Sequence, residues 1–113
     1  MPDSLKSILQ RLQIKLKGIQ ALSDLTKEMG PALAKAKEAE FAQLLDKRRI
    51  VMDSIDLLDK EIQQLVSGMP LAIQQRLRHY LSFAAGLLEP ASPTEQNIAS
   101  VCQLLSSQIK RLQ

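Results

Sequence analysis

From Leu5 to Met29 the apolar residues fall at steps of three and four: Leu5, Ile8, Leu9, Leu12, Leu16, Ile19, Leu22, Leu25 and Met29. That spacing is one face of an α-helix, and Lys6, Gln10, Gln13, Lys17, Gln20, Asp24 and Lys27 occupy the other faces. Asp3 or Ser4 is placed to cap the start. A second run follows the same rule: Phe41, Leu44, Arg48, Val51 or Met52, Ile55, Leu58, Ile62 and Leu65 alternate three- and four-residue steps, close to a heptad seam. Two such stripes in tandem require each other, or other helices, to bury them. The spacing predicts an all-α antiparallel bundle of about four helices, opened by a long N-terminal hairpin over residues 4–67.

Punctuation divides the rest. Ser67-Gly68-Met69-Pro70 reads as a loop, with Gly68 as C′ and Pro70 at or beside the next N1. A third helix is expected over 71–88. Ser92-Pro93-Thr94-Glu95 matches a capping box, with Ser92 as N-cap and Glu95 at N3, and opens a fourth helix over 93–113. Its stripe is Ile98, Val101, Cys102, Leu105, Ile109 and Leu112. Residues 1–113 are read as one domain.

The hairpin turn has two readings. Gly30-Pro31 is local punctuation, but a break there leaves arms of roughly 39 and 55 Å at 1.5 Å per residue. A turn near Lys37–Glu40 matches the arms at roughly 50 and 42 Å. It leaves Pro31 inside the first helix and uses a stretch with no turn residue.

Composition narrows the function. The chain is 113 residues long, 45% hydrophobic and only 3% aromatic, with one histidine, one cysteine and four glycines. A β-fold would want more β-branched and aromatic residues, and an enzyme more catalytic side chains and loop glycines. No catalytic residue, cofactor site or metal site is assigned. Asp53, Asp56 and Asp59 follow at i, i+3 and i+6, but the single His79 is preceded three residues back by Arg76, so the Glu-x-x-His of carboxylate metal bundles is missing. Arg49–Asp53 and Asp56–Lys60 are better read as i, i+4 pairs on a solvated face. His79 is read as a surface or cap histidine and Cys102 as a small packed hydrophobe. Arg48 on the seam either snorkels to water or sets register.

The net charge of +3 is interleaved along the chain, and Lys47-Arg48-Arg49 is the only basic run. Without a stripe or stacking aromatics, nucleic acid is not an expected partner. No apolar stretch reaches the ~18 residues of a membrane span and no secretory signal is visible, so membrane insertion is not expected and the cytoplasm is the expected compartment.

Tyr80-Leu81-Ser82-Phe83-Ala84-Ala85-Gly86-Leu87-Leu88 is apolar nearly all round. It is either a buried central helix or a surface awaiting a protein partner.

The run from Glu38 to Asp59 resembles the helix-turn-helix core of small flagellar export chaperones of the FlgN and FliT type. Phe41 with Leu44-Leu45 matches the start of their second helix, and Arg48 or Arg49 its arginine. Asp53, Ile55, Asp56, Leu58 and Asp59 match its "isoleucine, aspartate, x, leucine, aspartate"-like run. The likeness favours the later turn. It implies a non-enzymatic cytoplasmic chaperone that binds a helical end of a flagellar axial subunit, such as a hook-associated or filament-cap protein, and prevents its premature assembly. On that expectation the client would lie on segments three and four, anchored by Tyr80, Phe83, Leu87, Val101 and Leu105. The alternative is a non-enzymatic helical adaptor or scaffold, using the same surface to form a homodimer.

Overall fold

A computed structural model describes residues 2–82 and 92–112. Four helices follow in order: α1 (Pro2–Ala34), α2 (Glu38–Ser67), α3 (Leu71–Leu81) and α4 (Pro93–Leu112). The chain is the expected all-α bundle.

The hairpin turns over residues 35–37, the later of the two readings. Lys37 N–H donates to the Ala32 carbonyl at 3.0 Å and Ala36 N–H to the Leu33 carbonyl at 3.1 Å. This pair of bonds is a Schellman ending with Ala36 at C′, and Ala36 has φ of +57°. Glycine is the usual residue there, so an alanine hid the turn in the sequence. Pro31 stays inside α1, one turn from its end. Glu38 and Glu40 then start α2, where carboxylates favour the positive end of the helix dipole.

Cross-hairpin partners fix an antiparallel register. Arg11 Nε donates to Glu61 at 2.7 Å and Lys15 Nζ to Asp59 at 2.8 Å. Gly18 lets Ile55 close in, since a Cβ there would stand 3.2 Å from Ile55 Cγ1. The seam largely follows the heptad reading: Leu44, Ile55 and Ile62 are buried. Two positions differ. Arg48 is exposed, as an arginine whose head reaches water, and forms no ion pair among the described residues that would set register, and fully buried Val66 closes the seam where Leu65 is half-buried.

Gly68 caps α2 in the right-handed region, φ −83° and ψ −1°, so the loop makes no use of its left-handed freedom. Gln74 braces the loop by donating to the carbonyls of Met69 at 2.7 Å and Ser67 at 3.3 Å. Pro70 precedes α3 with extended ψ. The third helix closes at Leu81, and the remainder of the expected helix over 71–88 lies outside the described residues from position 83 on. Ser82 N–H bonds the Arg78 carbonyl and its hydroxyl donates to the His79 carbonyl, so the last turn folds back on itself. Phe83 and Leu87 lie outside the described residues.

Eleven residues of α3 rise only about 16 Å, too short to return along the hairpin. The fourth helix begins near the start of α1. Leu5 shares a cavity with Ser92 and Glu95, while Gln108 stands beside Gln20, Asp24 and Lys27. α4 thus runs parallel to α1 and antiparallel to α2. It packs on α1, and among the described residues no close α2–α4 approach forms, giving a long, thin body of 53 × 24 × 17 Å. The core joins Ile8, Leu12, Ile19 and Leu22 of α1 to Ile62 and Val66 of α2, Leu77 and Tyr80 of α3, and Ile98, Cys102 and Leu105 of α4. No helix among the described residues is long and apolar enough to cross a membrane.

Candidate partner-binding surface

Of the anchors expected on segments three and four, Tyr80, Val101 and Leu105 are core rather than surface, while Phe83 and Leu87 lie outside the described residues. Tyr80 and Leu105 are fully buried and Val101 is 8% exposed. The stripe of α4 that looked available for a client is the stripe that seats it on α1, because α3 is too short to take a core position along the whole hairpin. Tyr80 is held further by chemistry: its hydroxyl donates to Glu95 Oε1 at 2.6 Å.

Glu95 itself is the feature the capping-box reading half captured. Its backbone N–H bonds Ser92 Oγ at 3.2 Å, and Gln96 N–H bonds the Ser92 carbonyl at 2.9 Å, so Ser92 is the N-cap. The Glu95 carboxylate, however, also accepts from Arg76 Nε at 2.8 Å and meets Arg76 Nη2 at 2.6 Å, beside the Tyr80 bond. It is 7% exposed, and this cluster ties the start of α4 to α3. The bond to Glu95 holds the Arg76 guanidinium above its ordinary value. Burial, then the hydrogen bond to Glu95, raise the Tyr80 phenol. A cavity of about 230 Å³ adjoins the cluster, lined by Leu5, Ile73, Arg76, Leu77, Ser92 and Glu95.

The other titratable candidates do not converge. Asp53 and Asp56 are exposed, and Asp59 is tied to Lys15, so the three carboxylates point to different surroundings. Among the described residues no three His, Cys, Asp or Glu side chains are grouped to hold a metal ion. His79 is half-buried, its ring edge-on to Tyr80 with centroids 6.2 Å apart, and its Nε2 has no hydrogen-bond partner among the described residues. Cys102 is buried as expected, and burial pushes its thiol up to about 11, far from nucleophilic ionisation.

Of the hairpin motif, Leu44 and Ile55 are core, Phe41 and Leu58 half-buried, and Leu45, Arg48, Asp53 and Asp56 exposed.

Exposed large apolar side chains occur on all four helices, Leu71 of α3 and Leu104 of α4 included, and several lie on the hairpin. Ile14, Ile50 and Leu57 are 54, 63 and 59% exposed. A shallow groove of about 420 Å³ runs between Ala21 and Leu25 of α1 and Ile50 and Val51 of α2. Ile14 precedes Ala21 by seven residues and Leu57 follows Ile50 by seven, so both extend the same faces by two turns. The Arg11–Glu61 ion pair, one turn beyond each, closes that end. Neither α3 nor α4 lines the groove. The signal was legible: Ile14, Ile50 and Leu57 fall outside the core seam, at heptad spacing to each other or to a small residue.

No protein-family model, curated protein or solved structure matches the chain.

Proposed function

We propose that this chain is a non-enzymatic helix-binding protein whose open hairpin face takes one amphipathic helix of a partner. The observation that carries the reading is the groove of Ala21 and Leu25 against Ile50 and Val51, with exposed Ile14 and Leu57 two turns along the same helix faces. It offers apolar residues of both arms at helical spacing. Helix-in-groove burial needs such rows, and a monomeric protein has no folding reason to leave them open.

The resemblance of residues 38–59 to flagellar export chaperones supports a specific partner: the helical end of a flagellar axial subunit, held in the cytoplasm before export. The face assigned to it here differs from segments three and four. Co-purification of the full chain with hook-associated and filament-cap subunits tests this. A stoichiometric complex lost in Ile50→Asp and Leu57→Asp, with helicity retained, is expected. Absence of a complex with every axial subunit overturns the flagellar assignment.

A further inference from the structure

The turn end of the hairpin is built differently from its base. At the base, Ile8, Leu12, Ile19 and Leu22 of α1 and Ile55, Ile62 and Val66 of α2 are buried. Between Leu22 and Ile55 only Ala32 and Leu44 are. Other helices give out on the way. α3 lies with Leu5 at the base, while Gln108 stands beside Gln20, Asp24 and Lys27 and α4 ends one turn later at Leu112. Residues 30–43 therefore project past α4 as two short arms with only each other to pack on. Within them Ala32 alone is buried and Phe41 half-buried. Among the described residues the ion pairs that join the two helices, Arg11–Glu61 and Lys15–Asp59, fall at the base, and the Lys37–Glu40 pair at 3.7 Å is local to the turn.

Backbone chemistry sets an edge to this tip. Pro31 has no N–H to give the Lys27 carbonyl, so the ladder of α1 loses a bond where the tip begins. Gly30 beside it is a poor helix former, and a Cβ there would touch nothing within 4 Å beyond its chain neighbours. At the apex Ala36 holds φ of +57°, a strained value for a side chain. Each residue of the tip gives up backbone freedom when ordered, and little apolar surface is buried in return.

We infer that the tip, residues 30–43, opens and recloses as a unit of its own while the bundle below it stays folded. The hinges are Gly30-Pro31 and, level with them in the register that sets Gly18 against Ile55, Ala42-Gln43. Opening breaks the bonds of Ala36 and Lys37 to the carbonyls of Leu33 and Ala32 and uncovers Ala32 and Phe41. It stops short of Leu44 and of the groove at Ala21, Leu25, Ile50 and Val51, so it takes place whether or not that groove binds a partner. The fold thus carries a two-state segment at one end.

Native-state hydrogen exchange of the full chain, read amide by amide, tests this. The bonded amides of the tip, Lys35, Lys37 and Phe41 among them, are expected to exchange about a hundredfold or more faster, relative to their intrinsic rates, than those of residues 58–66. In low urea the tip amides should share one shallow slope and the base amides a steeper one, because opening the tip exposes less surface than unfolding. Ile62→Ala should speed the base amides about thirtyfold or more and leave the tip within about twofold. Pro31→Ala restores the missing bond and should slow the tip about tenfold or more. Equal protection along the hairpin overturns the inference, as does a tip that speeds up in step with the base in urea or in Ile62→Ala. Slopes that grade residue by residue away from the turn are fraying rather than a unit and overturn it too, and a tip rate unmoved by Pro31→Ala removes the hinge.

Discussion

The Tyr80 hydroxyl and the Glu95 carboxylate, one near the end of α3 and the other in the first turn of α4, share a buried hydrogen bond of 2.6 Å. Glu95 also holds Arg76, so one acid fastens two residues of α3 to the start of α4. A buried phenol bonded to a charged acceptor contributes about 1.5–3 kcal/mol. Tyr80→Phe is therefore expected to lower unfolding free energy by about that amount, read from the urea midpoint. Glu95→Ala should cost more, because it strands the Tyr80 hydroxyl in the core. An unchanged midpoint in Tyr80→Phe would show that the bond adds nothing beyond packing.

This cluster also marks the limit of what pattern reveals. Ser92, Pro93 and Glu95 announce a helix start, and Ser92 does cap it. Nothing in the spacing tells that the Glu95 side chain is also used across the fold, because Arg76 and Tyr80 reach it through tertiary packing. The four helices, the buried faces of α1, α2 and α4 and the loop at Ser67–Pro70 follow from local periodicity and were legible. The parallel run of α4 on α1 depends on where α3 stops, and with it goes the fate of Tyr80, Val101 and Leu105 as core rather than surface. Ser82 ends α3 through its own hydroxyl, a local event inside an apolar run that periodicity alone reads through.

The hairpin turn stores a removable cost. Ala36 sits at φ +57°, where a side chain costs about 1–2 kcal/mol and glycine almost nothing. Part of the gain from Ala36→Gly is returned through the greater freedom of glycine in the unfolded chain, about 0.5–1 kcal/mol. The net expectation is a stabilisation of about 0.5–1 kcal/mol, measured by denaturant unfolding. A loss on Ala36→Gly would mean that the turn is not held in the Schellman geometry.

Two helix-interior glycines should respond differently to enlargement. A Cβ on Gly30 would meet nothing within 4 Å beyond its chain neighbours, but Gly30 precedes Pro31 inside α1, and the proline ring crowds a Cβ on the residue before it, so Gly30→Ala should stay within about 0.5 kcal/mol of the parent instead of gaining the full helix propensity of alanine. Gly18 faces Ile55 at close range, and Ile55 is a buried core residue. Gly18→Val forces the two arms of the hairpin apart and is expected to cost about 1–3 kcal/mol. Thermal unfolding of both variants under one buffer checks the contrast.

The open hairpin face separates binding from folding. Ile50 and Leu57 are more than half exposed, so polar substitution there removes little buried area. Ile50→Ser and Leu57→Ser should each leave unfolding free energy within about 0.5 kcal/mol of the parent. Substitution of buried Ile62 by Ala, by comparison, should cost about 2–5 kcal/mol. A large loss of stability in the Ile50 or Leu57 variants would make that face part of the core and remove the surface on which the binding reading depends.

Alkaline pH should loosen the bundle through α4. The Cys102 thiol rises from 9.0 to about 11 because it is fully buried against α1. A raised pKa means that the folded chain holds its proton where the unfolded chain releases it. The contribution to stability is therefore complete below pH 9, falls as pH rises from about 9 and is lost by about 11. A rise of this size corresponds to a loss of about 2–3 kcal/mol across that window. Tyr80, whose phenol is also raised, adds a loss of the same sign above its ordinary value of 10.0. Urea midpoints followed across the window should fall steeply in the parent and less steeply in Cys102→Ala, which keeps only the Tyr80 contribution. Parallel curves for the two chains would mean that Cys102 reaches water before the bundle unfolds, and that α4 separates from α1 as a local opening.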